Sequence, residues 1–371
     1  MGKPFRQFRD RESVLRQARL AAVERIGELA MREDVAHVLV AGDVYDSEQP
    51  SPRTLLEPLE RMRQFPRVAW HLIPGNHDPH RPRGLWDRLH AHGLPANVHA
   101  HLTPAPVPLG EEAVLLPAPL TRKSETGDLT RWMDGAESPP GVPRIGLAHG
   151  AVAGFGTEGE AGNPVDPGRA ERAALAYLAL GDWHRTARIS ARVWYAGTPE
   201  PDRAGGQERG TALLVDIPGP LAAPAVTPLE TGRYRWLTVE EHIARADDIE
   251  ALDARVRGLG GLSALVLRLR LSGAVSLADR AALDARLLAL SAALFHLDAD
   301  MTKLVARPTD QDLESIDFGG VLRHAADLLR ALARDETRPP DERRQAEDAL
   351  VELYTRVAGD GGPQVTGDGA A

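Results

Sequence analysis

The sequence contains no cysteine. That excludes disulfides, thiolate zinc sites and cysteine nucleophiles, so any bound metal must be held by His, Asp, Glu, Asn or Gln. Lysine occurs only at Lys3, Lys123 and Lys303, and arginine supplies the rest of the 44 basic residues. With abundant Ala, Gly and Pro, this usage reflects GC-rich coding rather than a phosphate-binding surface. A surplus of positive charge is lacking too. The formal net charge is -9, which argues against a protein that coats nucleic acid electrostatically. It does not exclude a nuclease, because active-site carboxylates count in that sum while the cations they bind do not. No segment approaches the roughly 20 apolar residues that cross a bilayer. The opening Met1 to Arg9 is short, basic and interrupted by Pro4, with no apolar stretch behind it to make a secretion signal. The expected compartment is the cytoplasm, and no membrane partner is expected.

At 371 residues the chain exceeds the size at which one hydrophobic core stops growing, so two or three domains are expected. Residues 12–31 carry apolar side chains at the 3.6-residue spacing of an amphipathic helix. Short apolar runs at 36–41, 68–73, 113–117, 144–148, 177–180, 193–196 and 211–217 read as buried strands. Most end in Gly, His, Asp or Asn, which puts polar groups at the carboxyl ends of strands, where open α/β sheets keep their ligand sites. The Ala/Pro-rich stretch 220–228 reads as a connection. From Tyr234 the pattern is strand (235–239), helix (248–259), strand (264–271), helix (277–294) and strand (302–306), a compact βαβαβ unit. A third region holds an amphipathic helix over 320–334 and another over 341–357, separated by Pro339-Pro340. The Gly-rich end, 358–371, reads as disordered.

Three strand-end motifs carry the chemistry: Gly42-Asp43-Val44-Tyr45-Asp46, Gly75-Asn76-His77-Asp78 and Gly181-Asp182-Trp183-His184, with His149 between the last two. Each places oxygen or imidazole donors just after an apolar strand. A dinuclear hydrolase needs that arrangement, because two divalent cations must share a carboxylate, polarise a phosphoryl oxygen and activate a water. Such donors suit manganese, iron or zinc. Singly, each motif has a bland reading: a Gly-Asp turn, a polar loop, a satisfied core histidine. Four such strand ends in this order outweigh it. The histidines His71, His80, His90, His92, His99 and His101 fit no ligand position, although His80 lies near the second motif.

Motif order and spacing resemble the calcineurin-like metallophosphoesterases, and more closely the SbcD-type DNA-repair exonucleases. The resemblance covers most of the chain. It implies an α/β fold, a four-layer αββα sandwich with a small βαβαβ capping domain and C-terminal helices. The corresponding segments are 1–230, 231–308, 309–357 and a tail at 358–371. Asp43 then matches the carboxylate that bridges two divalent metal ions, manganese by preference. Asn76 and His149 match ligands of the second metal and His184 a ligand of the first. His77 matches the non-ligand histidine that contacts phosphate and protonates the leaving oxygen. Asp46 and Asp78 match positions that orient the ligands.

Two departures stand out. The last motif of the family is usually Gly-His-x-His, and Asp182 replaces its first histidine, which favours harder cations. The superfamily also opens with a strand ending in Asp-x-His that ligates the first metal, whereas Gly2-Lys3-Pro4-Phe5 resembles the stretch just after that strand. The simplest reading is a start placed beyond the motif; genuine loss of the first metal is the alternative. Only the second metal site is then complete, a central strand lacks its neighbour, and weak metallation and lowered stability are expected.

The implied function is a DNA exonuclease or endonuclease subunit in double-strand-break repair. Its expected partners are DNA and an SbcC-type ATPase docked on the C-terminal helices, with homodimerisation also suggested. The alternatives are a small-nucleotide phosphodiesterase and a non-catalytic interaction subunit. Gly154-Phe155-Gly156-Thr157-Glu158-Gly159 matches the dinucleotide fingerprint in letters only, since no helix pattern succeeds it, and reads as a loop beside His149. Gly197-Thr198-Pro199-Glu200 resembles the turn after the last SbcD motif and reads as architectural.

Overall fold

The computed structural model describes residues 1–155, 162–203, 208–306 and 320–360. The chain divides into two compact units, Met1–Trp236 and Leu237–Ala371. In the first, helix α1 (Glu12–Arg32) is followed by strand β1 (His37–Val40), helix α2 (Pro52–Arg63), β2 (Ala69–Leu72), α3 (Leu85–His92) and β3 (Val98–Ala100). Strands β1, β2 and β3 form a parallel sheet in sequence order. Ser51 starts α2 by accepting the Thr54 N–H at 3.2 Å, with Pro52 in the first turn, where no N–H is needed. The outer face of this sheet and the three helices share a core of Val23, Leu55, Leu59, Met62, Trp70, Leu72, Trp86 and Leu89.

A second sheet takes β4 (Val107–Leu109), β5 (Ala113–Ala118), β6 (Arg144–His149), β9 (Tyr177–Gly181), β10 (Ala187–Arg188) and β11 (Val193–Tyr195). A short parallel pair, β7 (Ala151–Val152) with β8 (Pro164–Val165), lies in sequence between β6 and β9. The sheet order is β10-β11-β9-β6-β5-β4, with β5, β6, β9 and β11 parallel. Its outer face buries Leu116, Ala148, Leu178 and Leu180 against Met133 and the short helix α4 (Arg169–Arg172). Between the sheets, Leu39, Ala41 and Ile73 meet Leu115, Ile145, Leu147 and Tyr177. The layers are therefore helix, sheet, sheet, helix, as expected for a metallophosphoesterase sandwich.

One stretch expected as a connection is partly strand. Residues 225–230 form β13 (Ala225–Glu230), paired antiparallel with β12 (Thr211–Asp216) over six positions. Pro228 sits in this two-stranded ribbon, where an edge strand tolerates a missing N–H. The Ala/Pro composition hid it.

Among the described residues strand β1 pairs with β2 alone and β12 with β13 alone. Both line a cavity of about 830 Å³, together with Val23 and Ile26 of α1 and the interior residue Tyr177. Val38, Leu39, Val40, Leu213, Leu214 and Val215 are consequently only half-buried. An apolar cavity of about 150 Å³ already holds a benzene-sized guest, so this space equals several side chains. The Met1 amine lines it and donates to the Val44 carbonyl. Burial, with Arg19 nearby, pushes that amine down to about 5.

The second unit is entered through β14 (Arg235–Ile243), which heads the sheet order β14-β15-β16. Helix α5 (Ala246–Gly258), β15 (Leu265–Val275), α6 (Leu277–Ala293) and β16 (His296–Ala306) come next, and β15 runs parallel to β16. Ile249, Leu252 and Val256 of α5 and Leu283, Leu287 and Leu290 of α6 join the strand residues Leu267 and Leu269 in one core. Beyond it, α7 (Val321–Arg334) and α8 (Pro340–Asp360) contact one another, burying Ala326, Ala346 and Leu350. The expected boundary at 308/309, and the tail from 361, lie outside the described residues.

Candidate metal centre

Four parallel strands from both sheets deliver the expected residues together. Asp43 follows β1, Asn76 to Asp78 follow β2, His149 ends β6, and Asp182 and His184 follow β9. The glycines in these motifs are required by close approach. A Cβ on Gly75 would lie 2.3 Å from Asp43 Oδ1, and one on Gly181 would lie 1.8 Å from the Ala41 carbonyl oxygen. Asp43 and Asp182 both have positive φ, +55° and +93°. Such a backbone is disfavoured for a residue with a Cβ and is retained where the surroundings impose it.

His149 is the hinge of the constellation. Its Nδ1 donates to the Ala41 carbonyl at 2.8 Å, which aims Nε2 at Asp43 Oδ2 and Asp182 Oδ1, each 3.6 Å away. Burial opposes charging this ring, but the Asp182 and Asp43 carboxylates prevail and push it up to about 9. Asn76 Nδ2 donates to Asp182 Oδ1 at 3.3 Å, which leaves Asn76 Oδ1 as its free donor atom for a cation. His77 is exposed. Its backbone N–H holds Asp43 Oδ1 at 2.9 Å, and its Nδ1 donates to the Asp46 carbonyl at 3.3 Å, leaving Nε2 available.

Asp78 is fully buried and joins two motif loops. Its carboxylate accepts the Gly75 N–H at 2.6 Å and the Tyr45 N–H at 3.0 Å. Burial pushes this carboxyl up to about 6, against the pull of those two N–H groups. Asp46 meets the expectation differently, because its contact to the site runs through its backbone carbonyl to His77, which is not an expected ligand. Asp202 went unrecognised in the sequence. It is buried, with Oδ2 accepting from Lys3 Nζ at 2.6 Å and Oδ1 3.6 Å from His184 Nδ1. Burial would raise its carboxyl, but His184, Lys3 and Arg19 hold it well below the usual carboxylate range. Only the turn before it, 197–200, offered a hint. Within that turn Glu200 accepts from Arg25 and from the backbone of Arg233 and Tyr234, tying α1 to the chain after β13.

The remaining histidines stand elsewhere. His80 pairs with Asp87 at 3.1 Å. His37, His71 and His101 form a chain of imidazoles, with His71 3.1 Å from His37 and 2.9 Å from His101. Burial pushes His71 down to about 3 and His101 to about 4. Of the Gly154–Gly159 fingerprint, residues from 156 onward lie outside the described residues.

The donor set fits a divalent cation. Asn76 Oδ1 and His149 Nε2 are buried atoms without a hydrogen-bond partner in the protein, as suits atoms that a ligand would use, and with Nδ1 of His184 facing Asp202 its Nε2 is the atom left for a cation. Among the described residues no three His, Asp or Glu side chains already close as a metal cluster. The set is mixed, with the amide of Asn76 and two carboxylates beside the imidazoles, and such hard donors suit manganese, iron or zinc.

The family model described as calcineurin-like phosphoesterase matches residues 6–153. The chain is also similar to the SbcD subunit of the SbcCD nuclease of Rhodobacter capsulatus, 30% identical over 254 residues. That alignment covers 55% of this chain and 62% of the relative, so the chain spans less than two thirds of that protein's length. Two stacked sheets, helices on both outer faces and carboxylate, amide and imidazole donors at four strand ends agree with these likenesses, to a calcineurin-like phosphoesterase over residues 6–153 and to an SbcD subunit over 254 residues.

Proposed function

We infer that the protein is the nuclease subunit of a DNA-end processing complex, hydrolysing phosphodiester bonds with divalent cations, manganese by preference. The observation that carries this is the convergence of two unpartnered donors, Asn76 Oδ1 and His149 Nε2, with Asp43 and Asp182 at one cluster of strand ends. Asp43, Asn76, His149 and Asp182 would hold the second cation, and Asp43 with His184 would contribute to the first. When bound, such ions polarise a phosphoryl oxygen and supply a hydroxide at neutral pH. The chain's own residues do the rest. The backbone N–H of His77 fixes one oxygen of Asp43, so this hydrogen bond ties the histidine to the carboxylate that would hold the cations. With Nδ1 held by the Asp46 carbonyl, a protonated His77 presents Nε2–H to the leaving oxygen of the scissile bond.

A partner ATPase of SbcC type is supported by α7, which exposes Val321 at 84%, Leu322 at 43% and Leu328 at 52%. Apolar side chains grouped on one helix are what a docked partner would cover. DNA grip supplied by that partner also accommodates the acidic net charge. The test is a side-by-side assay of a DNA duplex and a cyclic nucleotide in manganese. DNA hydrolysis that His77→Ala suppresses by about 10²-fold or more, at unchanged metal content, supports the reading. Turnover of the cyclic nucleotide alone would make the protein a small-nucleotide phosphodiesterase. Turnover of neither, even with the ATPase present, would leave it an interaction subunit.

A further inference from the structure

Trp183 stands between Asp182 and His184, and it is 38% exposed. Of the large hydrophobic side chains exposed among the described residues, it is the only aromatic. The residue before it, Asp182, holds a positive φ of +93°. One partly exposed ring is ordinary on a protein surface; what sets this one apart is its place directly between Asp182 and His184.

The ring is also braced. Phe155 meets it edge-on at 5.4 Å between centroids with planes 70° apart. Phe155 in turn stacks on Tyr195 at 5.7 Å and 19°. Tyr195 is fixed in the core, donating its hydroxyl to the Gly150 carbonyl at 2.8 Å and accepting the Val152 N–H at 2.9 Å. Three aromatic rings thus run from the backbone just after His149 out to solvent beside Asp182 and His184. A ring fixed by its neighbours loses little entropy when a flat partner stacks on it.

We propose that Trp183 is a stacking platform for a nucleobase of the bound strand, adjacent to the nucleotide whose phosphate lies in the metal centre. This rests on the reading that DNA is the substrate. Stacking is sequence-tolerant, because every base has a π-face, so the platform holds one unpaired base without selecting which. It also gives a protein of net charge -9 a grip on single-stranded ends that does not depend on positive charge.

The test compares binding of an oligothymidylate with that of the same strand carrying abasic sites, each labelled at its far end, in calcium to shield the site's carboxylates. Wild-type protein should prefer the base-bearing strand by between about five- and a hundred-fold. Trp183→Ala should lose that preference, and Trp183→Phe should keep most of it. Equal binding of the two strands by wild type overturns the proposal without any variant, as does a preference that survives in Trp183→Ala. Hydrolysis in manganese is read separately. Base-selective binding without hydrolysis would sink the nuclease reading and keep the platform, whereas hydrolysis with no base preference would do the reverse.

Discussion

Asp202 Oδ1 lies 3.6 Å from Nδ1 of His184, in a pocket where the same carboxylate binds Lys3. That spacing is ion-pair rather than hydrogen-bond distance. It is still close enough for the carboxylate to set the ring's orientation and basicity, as outer partners of metal-binding histidines do.

Asp202→Asn should therefore weaken manganese binding by about 10- to 100-fold, while the protein stays folded. Isothermal titration of the metal-free protein measures it directly. Unchanged affinity would show that Asp202 serves the fold through Lys3 and Arg19 and leaves His184 alone.

Asp78 offers a second, purely structural handle. Both of its oxygens accept backbone N–H groups, from Gly75 and Tyr45. Asparagine can accept at only one of the two positions and would turn an NH2 toward the other N–H. Asp78→Asn should cost about 1–3 kcal/mol, the penalty of an unsatisfied buried donor. Urea unfolding monitored by tryptophan fluorescence checks this, and a loss below the precision of that measurement would mean the loops are held by something else.

Much of this site was legible in the sequence because its donors sit at strand ends, and buried parallel strands announce themselves as short apolar runs. Asp43, Asn76, His77, His149, Asp182 and His184 were proposed that way, and the structure places them at or just after the carboxyl ends of β1, β2, β6 and β9. Asp202 was not, since a proline-rich turn separates it from the end of β11. Its role exists only through contacts 18 and more positions away, to His184 and Lys3. Strand β13 was missed because ribbon edges tolerate a composition that reads as loop. The imidazole chain of His37, His71 and His101 depends on register between β1, β2 and the residue after β3, and no local pattern carries that.

That imidazole chain and His149 bend the pH profile of the metal-free protein in opposite directions. His71 is held down to about 3, chiefly by burial. Its contribution is complete above the unfolded value near 6.5 and declines as the pH falls from there toward 3. His149 is held up to about 9 against burial by Asp182 and Asp43. Its contribution is complete below about 6.5 and is lost as the pH rises through 9. Melting temperature without metal should therefore peak between about pH 6 and 7. His71→Leu should flatten the acid limb, and His149→Gln the alkaline limb. A profile that neither substitution changes would place the titrating groups elsewhere.

The cavity between β1 and β12 makes the strongest prediction about the fold. Among the described residues each strand has one unpaired edge, and both strands line the same space. Backbone groups there should exchange hydrogen faster at 38–40 and 213–215 than in β6 or β9, which are paired on both sides. Helix α1 feeds β1 as the second half of a parallel βαβ unit, whose first strand would lie beside β1 with the same direction. Met1 lines this space, with its carbonyl accepting the Asp46 N–H, so chain placed ahead of Met1 begins beside it. An apolar six-residue strand added there, of alternating Val and Ile, should fill it and pair with both edges. The expected gain in melting temperature is at least about 5 °C, which corresponds to roughly 2 kcal/mol in a domain of this size. Exchange at 38–40 and 213–215 should slow in parallel. A Gly/Ser extension of equal length is the control, since it can extend the chain without burying apolar surface. Equal melting temperatures for the two extensions, with exchange unchanged at both edges, would mean that the space does not accept a strand.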